Sequence, residues 1–153
     1  MAGKHATPPQ QPPAAEPRPT QADYEALAEF RYLVRCFLDF SQSEARAAGL
    51  TPRQHQALLQ LKRLPAGSPP TIGALAERLR IRHHSAAELA DRLAEAGLVA
   101  RRPDPSDQRR VLLDLTALAE RHLADLSAVH LDELHKMSGV LDTIVQLARR
   151  RAM

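Results

Sequence analysis

Between residues 21 and 48, apolar side chains fall at alternating three- and four-residue steps: Leu27, Phe30, Val34 and Phe37, with Leu33 and Leu38 alongside. That is the period of an α-helix, and the breadth of the band predicts a long helix touching more than one neighbour. Gly49 supplies the residue that ends it. Thr51-Pro52-Arg53-Gln54 is a capping box with proline at the first helical position. The helix it opens turns Ala57, Leu58 and Leu61 inward and stops before the loop of residues 65–70, Pro-Ala-Gly-Ser-Pro-Pro. Thr71 then caps a short helix that buries Ile72, Leu75, Ala76 and Leu79. After a turn at Arg80-Ile81-Arg82, Ala86, Leu89, Ala90 and Leu93 make one packed face of the next helix, which Gly97 terminates.

Two strands follow, residues 98–102 and 110–115, around Pro103-Asp104-Pro105-Ser106-Asp107. Thr116 opens a long helix to about Lys136. A further helix is predicted from Ser138, with Val140, Leu141, Ile144, Val145 and Ala148 on one side. The fold class is therefore mainly α with a small β-hairpin wing. Two helices joined by a three- or four-residue turn and followed by a basic hairpin form a winged helix-turn-helix, which holds one helix against DNA.

Composition narrows this reading. The chain of 153 residues is one-domain size, and with three Phe, two Tyr and no Trp its core must be aliphatic, which favours helices. Residues 1–20 carry half of the twelve prolines and little apolar bulk, the composition of a disordered tail. A net charge of +3 suits nucleic acid without singling it out. One cysteine, Cys36, allows no intrachain disulfide and fits a reducing cytoplasm; no apolar run reaches the length of a membrane span.

At the wing the chain resembles the MarR family of bacterial transcriptional regulators. The resemblance rests on Leu93-Ala94-Glu95-Ala96-Gly97-Leu98-Val99, then Asp104-Pro105-Ser106-Asp107-Gln108-Arg109, then Val111-Leu112-Leu113-Asp114-Leu115-Thr116, and it extends over about residues 21–151. It implies a homodimer joined through residues 21–50 and 117–151, with residues 51–116 as the DNA-binding lobe. It further implies pseudo-palindromic double-stranded DNA as partner. Repression would be relieved by a small, in many members aromatic, effector bound between the dimer helices and that lobe.

Arg109 falls at the family's wing-tip arginine and would enter a minor groove, where narrow A·T segments concentrate negative potential. Asp107 would hold that guanidinium in a bidentate pair. Arg110, with Arg101 and Arg102, would meet phosphate or simply solvate the hairpin. On the recognition helix Arg82, His83, His84, Ser85, Glu88 and Arg92 are the candidate DNA contacts. Local signals start this helix near Ser85, since Ser85-Ala86-Ala87-Glu88 is itself a capping box; the resemblance starts it nearer Arg82 or His83. Glu88 is accordingly either a backbone cap or an acceptor for a cytosine amino group. Carboxylates at Glu88 and Asp91 also suit a rival reading, a winged-helix protein-interaction module without DNA binding.

Arg31, Arg35 and His55 are the candidates for an effector pocket, although His55 suits plain packing as well. His130 and His135, five residues apart, point to different sides of a helix, and no ligand cluster implies a metal. Phe37 and Leu38 beside Cys36 predict that the thiol is buried. With no phosphate loop, nucleophile–base pair or paired acids, the sequence offers no catalytic residue and calls for no cofactor.

Overall fold

Threonines start four of the helices, each by the same local device. The computed structural model describes residues 18–151. The first helix, α1 (Gln21–Ala47), begins at Thr20, whose side chain accepts from the Asp23 amide while Asp23 reaches back to the Thr20 amide. Thr51 and Gln54 repeat that exchange at α2 (Pro52–Arg63), and Thr71 caps α3 (Ile72–Leu79). The recognition helix of the sequence reading is α4 (His83–Glu95). Strands β1 (Val99–Pro103) and β2 (Val111–Leu115) pair antiparallel, with Val99 opposite Leu115 and Pro103 opposite Val111. Thr116 then caps α5 (Ala117–Arg151) by accepting from the Ala119 amide.

The core sits where α2, α3, α4, β2 and the start of α5 converge. Leu58, Leu75, Leu93, Leu98 and Leu113 are its largest fully buried side chains, which is the aliphatic interior the composition required. Beneath the hairpin, the Leu113 amide donates to the Pro70 carbonyl at 2.8 Å, so the loop before α3 fastens to β2. Outside this core, α1 packs along α5. Much of the apolar surface of that pair faces outward: Leu27, Phe30 and Leu38 of α1 are exposed, as are Leu131, Leu134 and Val145 of α5.

The elements differ from those expected in places. The two C-terminal helices are one helix of 35 residues. Ser138 and Thr143 do not break it because each hydroxyl is satisfied within the turn, donating to the carbonyls of His135 (2.7 Å) and Gly139 (2.9 Å). Cys36 is exposed, not buried. Its apolar neighbours Phe37 and Leu38 point to other parts of a helix that carries apolar residues almost all round, so adjacency in sequence said nothing about its own side. The strands also begin one residue later than expected. Up to residue 17, the proline-rich segment read as a disordered tail lies outside the described residues.

Candidate nucleic-acid interface

The turn before α4 decides which side chains that helix presents. Arg80 lies in the left-handed region (φ 54°), and the Ile81 amide closes back onto the Ala76 carbonyl at 3.0 Å. This ends α3 abruptly and sends the chain into α4 at His83, behind Arg82, which has no side-chain cap. Ser85 is therefore inside the helix and cannot form the capping box with Glu88. Ala86, Leu89, Ala90 and Leu93 face the core, which leaves His83, His84, Glu88, Asp91 and Arg92 exposed.

The wing is braced from both sides. Arg101 of β1 pairs with Asp91 of α4, fixing the hairpin against the outer edge of the helix, and Arg102 pairs with Asp114 across the hairpin. At the tip the organising group is Asp104, which sequence reasoning missed. Its buried carboxylate accepts from the Ser106 amide (2.9 Å) and hydroxyl (2.7 Å), and the Arg110 guanidinium stands 2.8 Å away. Those Ser106 hydrogen bonds chiefly, and Arg110 in addition, hold the Asp104 carboxyl below its ordinary pKa in spite of burial. An aspartate two residues before a serine is the signal for such a turn, and Asp104-Pro105-Ser106 carries it.

Asp107 does not form the bidentate pair expected with Arg109. One oxygen accepts from the Arg109 amide at 3.0 Å and lies 3.5 Å from its Nε, while the Asp107 carbonyl accepts from the Arg110 amide at 2.9 Å. Asp107 thus shapes the turn, and the Arg109 side chain stands 95% exposed at its apex. Arg110, by contrast, is committed to Asp104 at the base of the tip.

Between the start of α2 and the flank of α4 lies a cleft of about 370 Å³, lined by Thr51, Arg53, Gln54, Ser85, Glu88 and Arg92 among others. The residues suggested for an effector pocket have different surroundings. Arg31 and Arg35 are exposed on α1, whereas His55 is buried with its ring centroid 4.9 Å from that of His130. His130 is fixed in turn by the Leu126 carbonyl (2.6 Å) and the Ser41 hydroxyl (2.7 Å), edge-on to Phe37 and Phe40. Burial first, and the neighbouring His130 second, keep the His55 imidazole below its ordinary pKa. Among the described residues no group of three or more His, Cys, Asp or Glu is placed to hold a metal ion. None of their helices is long and apolar enough to cross a membrane.

Residues 48–110 match the model of the MarR family. A Bacillus subtilis protein described as an uncharacterized HTH-type transcriptional regulator, YcgE, is 34% identical over 107 residues, covering 70% of this chain and 68% of that one. Among solved structures, CouR from Rhodococcus jostii RHA1, bound to p-coumaroyl-CoA, superposes with a TM-score of 0.65 at 24% identity, covering 86% of this chain and 92% of that one. The S. aureus MepR–DNA complex superposes with a TM-score of 0.65 at 16% identity, over 87% and 94% of the two chains.

Proposed function

This chain belongs to the MarR family and is a DNA-binding transcriptional regulator, not an enzyme; from that premise we propose that it acts as a homodimeric repressor released by a small effector. The outward apolar side chains of α1 and α5 support a dimer built from residues 21–50 and 117–151, leaving residues 51–116 as the lobe that meets DNA. Two such lobes engage a pseudo-palindromic site when their α4 helices reach major grooves about 34 Å apart. Arg82, His83, His84, Ser85, Glu88 and Arg92 face the major groove, Arg109 enters the minor groove, and Asp107 and Arg110 hold the turn that aims it. Acting on bacterial DNA puts the protein in the cytoplasm.

An effector must bind the DNA-incompetent spacing of the lobes more tightly than the competent one. The aromatic acyl group in the CouR structure is consistent with an aromatic effector here, approaching past the exposed Arg31 and Arg35 of α1, with His55 behind them in the buried contact with His130. The rival interaction-module reading loses its support at Asp91, whose charge is offset by Arg101.

The observation that carries the proposal is Arg109, fully presented on a turn that Asp104 and Asp107 have already organised. The test is fluorescence anisotropy on DNA upstream of the protein's own gene, with the sequence checked by genomic selection. Arg109→Ala should weaken binding about tenfold to a hundredfold, the scale of a lost charged hydrogen bond, and flatten the salt dependence by about one unit per arginine. Its melting temperature should not move, because so exposed a side chain contributes almost nothing to the fold. Unchanged affinity and salt slope would remove the wing from the interface.

A further inference from the structure

We propose that Glu88 is a specificity-determining residue that reads a cytosine in each operator half-site, which rests on the DNA-binding reading given above. Three observations about the outer face of α4 lead there. First, the helix starts at His83, so Glu88 is released from the capping role that Ser85 would have given it. Second, the neighbouring carboxylate Asp91 pairs with Arg101, while the Glu88 side chain forms no ion pair or hydrogen bond among the described residues. Third, Glu88 lines a cleft together with Arg53 and Arg92, two basic residues on the same face that can meet phosphate beside it and that form no ion pair with it.

The chemistry of a carboxylate then selects the base. It has acceptors and no donor, so in the major groove it seeks an amino group: N4 of cytosine or N6 of adenine. On adenine the neighbouring N7 is another acceptor and repels the second carboxylate oxygen. On cytosine the neighbour is the C5–H edge, which does not. Glutamine, with a donor beside its acceptor, has the opposite preference and matches adenine at N6 and N7.

The experiment is selection from a randomised duplex library with the full-length protein, wild type and Glu88→Gln in parallel, followed by anisotropy on single-base variants of the enriched site. Wild type should enrich a cytosine at one position of each half-site and discriminate against the other bases by about tenfold or more. Glu88→Gln, a surface change that leaves folding intact, should lose that preference or move it to adenine. If Glu88→Gln enriches the same base with the same discrimination, while Arg109→Ala still weakens binding, the assignment of Glu88 is overturned and the regulator reading stands. If wild type enriches no sequence at all, both fall.

Discussion

Thr116 joins the DNA-binding lobe to the long C-terminal helix, and removing its hydroxyl should be costly. The Oγ1 donates to the Gly97 carbonyl at 2.7 Å, with the Leu98 carbonyl at 3.2 Å sharing the same proton, and accepts from the Ala119 amide at 3.2 Å. Thr116→Val keeps shape and β-branching but deletes all three contacts. A lost N-cap costs about 1 kcal/mol, and a lost neutral hydrogen bond about 1 kcal/mol more. The sum, about 2 kcal/mol, corresponds to a drop of about 7 °C in melting temperature for a domain of this size. Urea and thermal unfolding would be followed by circular dichroism at one fixed protomer concentration, because association adds to apparent stability. Thr143→Val is the internal control: that hydroxyl only bonds back to Gly139 within α5, so its loss should cost under about 0.5 kcal/mol. Equal losses in the two variants, or a loss below about 0.5 kcal/mol at Thr116, would refute the claim that this residue ties the hairpin to the helix.

Leu58 has no exposed surface and lies at the centre of the core, so Leu58→Ala should cost about 2–5 kcal/mol in urea unfolding; a loss under about 1 kcal/mol would mean the core is packed otherwise. Protonation of His55 should destabilise the fold. Its pKa is lowered in the native state from about 6.5, so the unfolded chain binds that proton first. The His55 contribution is therefore complete above pH 6.5 and is lost progressively as the pH falls below it towards the native value. Urea midpoints at pH 7.5, 6.5 and 5.5 should fall less steeply for His55→Leu than for wild type, and parallel lines would contradict the assignment.

Helix starts were readable from the sequence because caps are decided within four residues. Thr51 with Gln54, and Thr71, do in three dimensions what their spacing announced. The same logic failed at Ser85, where an adequate capping signal lost to the turn before it. With Arg80 left-handed and Ile81 bonded back to Ala76, the chain is already helical by His83. Asp104-Pro105-Ser106 announced the turn locally, but not its weight in the wing: the pairing with Arg110, six residues away, and the burial of the carboxylate are encoded by no local pattern. The break expected near Ser138 shows the converse weakness: serine and glycine are poor helix formers, not stops, and no proline stands there to enforce one.

That unbroken α5 has a mechanical consequence. At 1.5 Å per residue its 35 residues make a rod of about 52 Å, with one end fastened by Thr116 to the root of the wing and the other lying beside Tyr24 and Leu27 near the start of α1. A rod carries rotation where a joint would absorb it: a tilt of about 3° at one end displaces the other by close to 3 Å, about 30% of the 8–10 Å that separates packed helix axes. Aiming the wing and seating the far end of the helix are then a single adjustment, so a disturbance at either end must register at the other.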